Sequence, residues 1–360
     1  MKRNFLFIMN STGTCLWRVY PIAEILRQRG HQVVTMNLSQ IAEKYVGLIL
    51  EWADVLTFQM VSAKDILDRA KKKGIFTIFD CDDLIEKVPR SHPSYKATRK
   101  HRYKEDFRYM LEKVDLMTCS TDLLQKRYKE FGEIRKLENY IPAYFWERPK
   151  REHKGNIIRI GWAGGTSHQE DLDFIAPIIK KIVAKNKNVK FVYTGGGGWN
   201  TQKPDFLWKF GKDHFADIPI TRREYCTGSR PEIWPDRLNG MMLDIALAPL
   251  DDNIFARHKS QIKYYEYGIN HWAGIYQKFL YQNVRHGDTG FLATTPEEWE
   301  GYIQKLIDDP SLRKDMGGRA YRNIKNHYTF ERNFRLWLET YCQAGERSRH
   351  REGEFFVRRK

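Results

Sequence analysis

The sequence lacks any apolar stretch near the roughly 18 residues that a membrane-spanning helix requires. Its first apolar run, at 5–9, is also too short for the core of a secretory signal and ends at polar Asn10 and Ser11. Cysteine is scarce, with five residues scattered along 360 positions and none at metal-binding spacing. The lack of paired cysteines argues against a disulfide scaffold or a zinc finger, and we expect reduced thiols in a cytoplasmic protein.

Acidic residues are too few to balance the basic ones. Lysine and arginine number 61 against 45 aspartates and glutamates, which gives a formal net charge of +16. This excess favours a polyanionic partner, either nucleic acid or an anionic membrane surface, although an ordinary basic surface is the simpler alternative. Apolar residues make up 41% of the chain, which is enough for packed cores, and 360 residues predict two domains.

The first 40 residues have the pattern of a parallel β-α-β unit. An apolar run at 4–10 leads into a loop containing Gly13, and apolar residues then recur at helical spacing before a second strand at 32–36. Further strands are predicted at 54–59, 75–79 and 116–120, with helices at 63–73 and 104–113. Strands alternating with helices predict an α/β domain with a parallel sheet.

The same pattern begins again after a linker. Pro142, Pro149 and the polar run 150–155 mark the break. Strands are then predicted at 157–161, 189–194 and 245–250, and helices at 296–307, 312–326 and 330–342.

We therefore predict two facing Rossmann-like domains. An acceptor domain spans 1–148 and a nucleotide-sugar domain spans 155–328, while a helix at 329–345 packs back on the first domain. A charged tail at 346–360 is expected to fray. Because ligands bind at the carboxyl ends of parallel strands, we place the site in the cleft between the domains.

A segment with two lysines and a glutamate at regular spacing follows the apolar strand predicted at 245–250. Lys259, Lys263 and Glu266 have spacings of four and three, so on a helix they would share one face. Cations there suit a diphosphate, and a carboxylate suits ribose hydroxyls. A solvated lysine–glutamate surface pair is the alternative.

The segment from Ala248 to Tyr328 resembles the C-terminal domain of the family-four GT-B glycosyltransferases, which build sucrose, mannose-containing glycans and glycogen. The resemblance lies in APLDDNIF, HKSQIKYYEYG and HGDTGFLATTPEEWEGYIQKLIDDPSLRKDMG, and more weakly in DCDD at 80–83 and CST at 119–121. It implies that Lys259 faces the donor phosphates, that Glu266 holds the nucleotide ribose, and that the loop at 288–290 lies beyond the sugar site.

Two positions depart from the pattern of this family. His258 stands where many relatives have a glutamate, and the loop after the strand at 157–161 has no arginine–lysine pair. Phosphate binding would then depend on backbone N–H groups of that loop and on Lys259.

Glycine-containing loops follow the first predicted strand of each half. Gly13, Gly164 and Gly165 suit the close approach of a phosphate, although neither loop has the GxGxxG pattern and a tight turn without a ligand is an equal alternative. The glycine run at 195–198 is expected to be a flexible connector. The predicted donor-binding residues are Gly13, Arg18, Gly164, Gly165, Thr166, Lys259, Ser260, Lys263 and Glu266.

Acidic residues follow the strand predicted at 75–79. Asp80 and Asp82 form a DxD pattern that could bind a divalent metal, but the GT-B resemblance favours a metal-independent site without a cofactor. Asp82 and Asp83 are instead expected to orient an acceptor hydroxyl, with a helix N-cap as the alternative. The predicted catalytic residues are Lys259, Asp82, Asp83 and His168.

An acid-free basic run lies between positions 87 and 104, with Tyr95 and Tyr103 interleaved. Cations and aromatic rings together are typical of a nucleic-acid surface. A membrane-facing patch and a solvated basic helix remain alternatives. The predicted acceptor contacts are Arg90, Lys96, Arg99, Lys100 and Arg102.

Taken with the resemblance, these patterns predict a glycosyltransferase, of the retaining type, that moves a sugar from a nucleoside diphosphate to a hydroxyl. The leading acceptor is a hydroxymethylated pyrimidine in bacteriophage duplex DNA, in the cytoplasm of the bacterial host. Alternatives are a transferase for cell-surface polysaccharide or a lipid-linked glycan, and a non-catalytic nucleic-acid-binding relative.

Overall fold

Two six-stranded parallel sheets organise the chain. The computed structural model describes residues 2–9, 13–165, 167–195 and 214–357, with side chains up to position 348 except at position 40. The strands of the first sheet are β1 Asn4–Met9, β2 Gln32–Asn37, β3 Val55–Gln59, β4 Phe76–Cys81, β5 Leu116–Cys119 and β6 Ile134–Lys136. Those of the second are β7 Ile158–Ala163, β8 Val189–Thr194, β9 Arg223–Cys226, β10 Ile245–Ala248, β11 Ala273–Gln277 and β12 Phe291–Ala293.

In each sheet, successive strands of the chain are placed on one side of the first strand and then, after a single switch, on the other side. The first has the order β2-β1-β3-β4-β5-β6 and the second β12-β11-β10-β7-β8-β9. Strands β3, β4, β7 and β11 are buried along their whole length, because helices cover both faces of a parallel sheet. The switch points lie between β1 and β3 and between β7 and β10, and they open at the carboxyl ends of these strands.

Helices connect the strands of the first half and continue into the predicted linker. They are α1 Cys15–Arg18, α2 Tyr20–Gln28, α3 Glu43–Trp52, α4 Lys64–Lys72, α5 Tyr95–Thr98, α6 His101–Lys113, α7 Asp122–Tyr128 and α8 Ala143–Trp146. Helix α8 forms within the predicted linker because Trp146 is buried there against Trp17, with ring centroids 5.3 Å apart.

Helices of the second half follow the same scheme. They are α9 Gln169–Lys185, α10 Trp234–Gly240, α11 Ile254–Arg257, α12 Ile262–Ile269, α13 Pro296–Asp308, α14 Pro310–His327 and α15 Phe330–Val357. Helix α13 begins with a capping box formed by Thr295 and Glu298. None of the described helices is long and apolar enough to span a bilayer.

The chain crosses between the two halves twice, and the crossings lie side by side. The Ile141 N–H donates to the Tyr328 carbonyl at 3.0 Å, and the Phe330 N–H donates to the Ile141 carbonyl at 2.9 Å. After the second crossing, α15 packs on the first sheet, where Trp337 and Tyr341 join the core that contains Phe5 and Phe7.

Helix α15 is longer than the sequence predicted. The sequence predicts a helix at 329–345 and a frayed tail at 346–360, but the backbone is helical to Val357. Strands β6, β9, β11 and β12 were not predicted. Of these strands, β6 (IRK) is short and polar, whereas β11 (AGIYQ) is fully buried.

Candidate active site

The segments that follow β4, β5 and β10 meet in a cleft between the halves. The Thr121 hydroxyl donates to the His258 carbonyl at 3.2 Å, and the Lys259 ammonium lies 3.7 Å from Oδ1 of Asp83. Phe255, from the second half, is buried in the core of the first. The carboxyl ends of the two sheets are therefore in contact here.

Lys259 lies in the turn between α11 and α12. Its side chain is 22% exposed, and its Nζ lies 4.5 Å from the centre of the Phe255 ring as well as near Asp83. The prediction that Lys259, Lys263 and Glu266 share one helical face is wrong for Lys259, because the helix begins only at Ile262. Lys259 instead presents its charge to the first half of the chain.

Asp82 is a buried carboxyl group beside Lys259. It is 5% exposed, and the Gln59 side-chain amide donates to its Oδ1 at 3.4 Å. Burial, reinforced by the charge of Asp83, raises the pKa of Asp82 to about 8, although Arg18 and Lys259 act in the opposite direction. At neutral pH this group therefore carries its proton and can donate a hydrogen bond as well as accept one.

Neither aspartate caps a helix in this structure. A short 3₁₀ turn at Ile85–Lys87 follows, and its N-cap position, Leu84, makes no side-chain cap. The alternative assignment of Asp82 or Asp83 as an N-cap is therefore wrong for this turn, and both carboxyl groups lie on the cleft side of β4.

His168 is held by Asp171, a residue without a predicted role. Its Nδ1 lies 2.5 Å from Oδ2 of Asp171, whose other oxygen accepts the Asp251 N–H at 2.6 Å. A neutral histidine that donates Nδ1–H to a carboxylate presents its Nε2 as a proton acceptor. The pair sits at the start of α9, directly after the glycine loop of the second half.

His92 is a second histidine at the cleft. Its ring lies edge-on to Phe255 at 5.5 Å, and its Nδ1 accepts the Ser94 N–H at 3.1 Å. Burial lowers the pKa of His92 below its ordinary value, and the positive charge of Lys259 adds to this effect. In the sequence His92 is only one residue of the basic run, because nothing in its spacing indicates that it turns toward Lys259.

Glu266 is a buried residue of α12, 3% exposed. Its carboxylate accepts a hydrogen bond from the Trp234 indole at 3.1 Å and one from the Lys263 ammonium at 2.7 Å. This pair is not the solvated surface pair of the alternative interpretation. An ionised carboxylate can accept about four hydrogen bonds, so Glu266 can accept further bonds besides those from Trp234 and Lys263.

Arg18 does not face the cleft. It is 1% exposed, and its guanidinium forms a double contact with Asp80 at 3.0 and 2.5 Å. Burial lowers the pKa of Arg18, but Asp80 outweighs this effect and raises it above the ordinary value. The predicted direct contact of Arg18 with a donor phosphate is wrong in this geometry, because the guanidinium has no surface to offer.

The Arg18–Asp80 ion pair also affects whether the DxD pattern of Asp80 and Asp82 can bind a metal ion. Asp80 also accepts a hydrogen bond from Thr118 at 2.5 Å and is 1% exposed. Its carboxylate is thus fully engaged by protein groups. Among the described residues there is no group of three or more histidines, cysteines or carboxylates that could hold a metal ion.

A buried polar chain connects Arg18 to the lysine turn. Arg18 Nη1 donates to Oδ1 of Asn139 at 3.0 Å, and Nδ2 of Asn139 donates to the Ser260 hydroxyl at 2.8 Å. Ser260, a predicted donor contact, is therefore held by the first half of the chain. No motif around Asn139 predicts this role. The residue lies in the segment that precedes the first crossing between the halves.

The glycines of the two loops differ in how closely other atoms pack against them. A Cβ at Gly164 would meet the Trp162 ring at 2.4 Å, so packing alone demands glycine there. At Gly13 and Gly165, no atom of the residues that the structure describes lies within 4 Å of the position a Cβ would occupy. These two positions leave room for a ligand. Thr166 and the glycines at 196–198 lie outside the described residues.

The five predicted acceptor contacts, Arg90, Lys96, Arg99, Lys100 and Arg102, are all exposed. Arg99 lies over the Tyr95 ring at 4.9 Å, and Arg102 lies 3.8 Å from Asp106. Tyr103 is not available for stacking on a base, because it packs on the core and stacks with Phe107. The cations of the segment are thus presented to solvent, whereas one of its two tyrosines is committed to the fold.

Three solved structures resemble nearly the whole chain. A glycosyltransferase from Rickettsia africae matches with a TM-score of 0.66 at 12% identity, over 95% of this chain and 98% of its own. Sucrose-phosphate synthase from Thermosynechococcus elongatus matches with 0.66 at 10%, over 95% and 98%. HepE from Anabaena, solved with UDP and glucose, matches with 0.65 at 12%, over 94% and 99%.

The chain has the GT-B fold. No model of a known protein family and no curated protein matches the sequence. Since a fold carries many chemistries, the function of this GT-B chain has to be argued from its cleft. In that cleft the structure brings together Asp82, Asp83, His92 and Lys259, with His168 near His92, while Glu266 is buried in α12.

Proposed function

We propose that this GT-B chain transfers a sugar from a nucleoside diphosphate to a hydroxyl group. The observation that carries the proposal is the meeting of Lys259 with Asp83 where the carboxyl ends of two parallel sheets come together. Parallel α/β sheets bind their ligands at this edge, beside the switch point of the strand order. HepE is a protein of this fold described in complex with UDP-glucose, which supports a UDP-sugar as the donor.

The donor occupies the second half. Its diphosphate lies between Lys259 and the loop of Gly164 and Gly165, where the open space beside Gly165 admits a phosphate. Its ribose hydroxyls reach Glu266. When the bond between the anomeric carbon and the diphosphate breaks, negative charge develops on the β-phosphate, and Lys259 stabilises that charge.

The acceptor hydroxyl attacks from the first half. Its oxygen forms the new bond to the anomeric carbon, and its proton passes to the departing phosphate oxygen in a transfer with retention of configuration. The protonated Asp82, with Asp83 and the Nε2 of His168, orients the hydroxyl by hydrogen bonds. Retention rests on the resemblance to family four.

The acceptor is a polyanion, and duplex DNA with hydroxymethylated pyrimidines is our leading candidate. The support is the exposed basic segment at 87–104 in the first half, together with the net charge of +16. A lipid-linked glycan at an anionic membrane surface is the second candidate, supported by the same cations.

The test is a transfer assay with labelled nucleotide sugars, offered hydroxymethylated duplex DNA and lipid extracts in parallel. Lys259→Ala should abolish transfer and donor hydrolysis, whereas Lys185→Ala, at the far end of α9, should leave both unchanged. Label in DNA supports the first acceptor, and label only in lipid replaces it with the second. No turnover with any nucleotide sugar would refute the enzymatic assignment and leave a binding protein.

The reaction is expected to need no metal ion, because Asp80 is bound to Arg18 and Lys259 supplies the positive charge at the diphosphate. Transfer should therefore survive excess EDTA. Loss of activity in EDTA with recovery on addition of Mn²⁺ would show that a cation belongs to the site.

A further inference from the structure

A concave cluster of arginines lies on the second half, apart from the lysine turn. A cavity of about 200 Å³ is lined by one residue of the loop before β12 and by one face of α14: Arg285, Arg319, Arg322, Asn323, Asn326 and His327. Three guanidinium groups thus border one small cavity, and the proposed transfer reaction uses none of them.

A single carboxylate fixes the orientation of two of these arginines. Nε of Arg285 lies 2.9 Å from one oxygen of Asp288, and Nε of Arg319 lies 2.6 Å from the other. Nε of Arg319 also donates to the Asp288 carbonyl at 3.0 Å. Asp288 thus contacts the Nε atom of each guanidinium. The outer nitrogens of both groups donate no hydrogen bond to a described residue.

The cluster keeps an excess of positive charge. Asp288 offsets one of the three arginines, and no carboxylate in the described part of the chain lies within 4 Å of Arg322. Planar guanidinium groups with free outer nitrogens match the oxygens of a phosphate, to which they donate paired, charge-assisted hydrogen bonds. The side-chain amide of Asn326 and the ring of His327 add further hydrogen-bonding groups at the rim.

The size of the cavity limits what it can hold. Sites for molecules of drug size have volumes of about 300–1,000 Å³, so about 200 Å³ suits a phosphate group with a small body rather than a whole nucleotide sugar. One wall is a face of α14 and the other is Arg285, so the three guanidinium groups border a single space of about 200 Å³, which favours a small molecule over the backbone of a nucleic acid.

We propose that this arginine cavity is a second anion site, which binds the phosphate group of a small phosphorylated metabolite. The site lies directly behind the helix that carries Lys263 and Glu266. Nδ2 of Asn323 donates to the Tyr264 hydroxyl at 2.7 Å, so a lining residue of the cavity bonds to α12 itself. The binding claim does not depend on the glycosyltransferase assignment.

The test is calorimetric titration of the full chain with inorganic phosphate and with a hexose phosphate. Arg322→Gln should weaken both by about tenfold, the effect of losing one charged hydrogen-bonding partner. Arg322 is exposed and has no ion-pair partner in the described chain, so this change should leave the fold intact. Lys314→Gln removes one charge from the same helix outside the cavity and should leave both affinities unchanged.

Two controls separate this site from the others. Lys259→Ala, in the candidate donor site, should leave in place the component of the phosphate isotherm that Arg322→Gln weakens. The proposal is overturned if phosphate does not bind, if Lys314→Gln weakens binding as much as Arg322→Gln, or if Lys259 rather than Arg322 controls the affinity. Binding of duplex DNA that depends on Arg322, without binding of free phosphate, would also overturn it and assign the cluster to a polyanion surface.

Discussion

Carboxyl groups and cations face each other across the cleft, and burial gives neighbouring side chains different properties. Asp82 and Asp83 are adjacent in sequence, yet burial raises the pKa of Asp82 to about 8 while Asp83 is partly exposed beside Lys259. Glu266 is covered by the Trp234 indole and the Lys263 ammonium. The residue identities were available in the sequence, but these environments were not.

Glu266 provides a test of donor binding. Glu266→Ala should weaken the affinity for UDP by about 1–3 kcal/mol, because a charged hydrogen-bond acceptor for the ribose is lost. Glu266→Gln keeps the shape and one acceptor oxygen, so its loss should be smaller. Calorimetric titration with UDP measures both variants, at a temperature where circular dichroism shows them folded.

Glu266 also has partners inside the protein, so its removal is expected to lower stability. A purely structural role would reduce the free energy of unfolding and leave the UDP affinity of the folded protein unchanged. That result would remove Glu266 from the donor site.

Asp82 makes stability depend on pH. Its folded pKa of about 8 lies above the unfolded value of about 4, so between these values the native state binds a proton that the unfolded chain has released. The stabilisation is complete below about pH 4 and is lost as pH rises through about 8, with a slope of up to about 1.4 kcal/mol per pH unit for one proton.

The Asp82→Asn variant isolates this effect. Its amide cannot ionise, so its free energy of unfolding should fall less than that of the parent chain between pH 5 and 9, as measured by urea denaturation at each pH. Asp65→Asn, at an exposed position of α4, should follow the parent. Parallel curves for Asp82→Asn and the parent would show that Asp82 titrates normally.

At the scale of elements, the C-terminal helix stabilises a domain that it does not follow in sequence. Helix α15 leaves the second half and fills the core of the first, and the Trp337 ring also covers the Arg18 guanidinium at 4.4 Å. The Arg18–Asp80 pair, and through Asn139 the lysine turn, is therefore packed beneath an element that arrives last in the chain.

Trp337 and its neighbour give a matched pair of variants. Trp337→Ala should lower the free energy of unfolding by about 3–5 kcal/mol, because the ring is 1% exposed and its removal leaves a cavity beside a buried ion pair. Leu336→Ala, at a position that is 51% exposed, should cost less than about 0.5 kcal/mol. Chemical denaturation measures both, and similar values would show that α15 is not part of the first core.

At the scale of the whole molecule, the charge of +16 is the property that points to a polyanion. In the basic segment, no described carboxylate lies within 4 Å of Arg90, Lys96, Arg99 or Lys100, whereas Arg102 has Asp106 nearby. The cations without a carboxylate partner are therefore Arg90, Lys96 in α5, and Arg99 and Lys100 between α5 and α6.

Salt dependence measures how many phosphates these cations contact. If duplex DNA binds here, the logarithm of the affinity should fall with the logarithm of salt concentration at a slope of roughly −3 to −5, about −0.9 for each phosphate. Arg99→Ala with Lys100→Ala should make the slope shallower by about 1–2 and leave UDP affinity unchanged.

Controls separate nucleic acid from lipid. Replacement of Lys187 and Lys314 by Ala, in the second half, tests whether any loss of charge has the same effect. Anionic vesicles serve as the alternative ligand, since a membrane-facing patch also responds to salt. Binding to vesicles without binding to DNA would contradict the DNA acceptor and leave the proposed transfer reaction standing.

The sequence by itself determined the α/β class and most of the parallel strands of both halves, and it predicted the edge where a ligand would bind. Alternating apolar strands and amphipathic helices are local patterns, and strands such as β8 could be placed from them because each residue contributes its own hydrophobicity. The edge strands β6 (IRK) and β9 (REYC) were not predicted, since they have little apolar content.

Only the tertiary structure decided what each candidate residue contacts. Arg18, 1% exposed, is the partner of Asp80 and not the predicted phosphate ligand, and Asn139 is a neighbour of the site without any local signal. Asp171 lies only three residues from His168, but it also accepts the N–H of the distant Asp251. These contacts join segments 62 and 121 positions apart, as for Arg18 with Asp80 and with Asn139. Burial, the shift in the pKa of Asp82 and the closing of the cleft all arise from such distant pairings, which no local pattern of residues can specify.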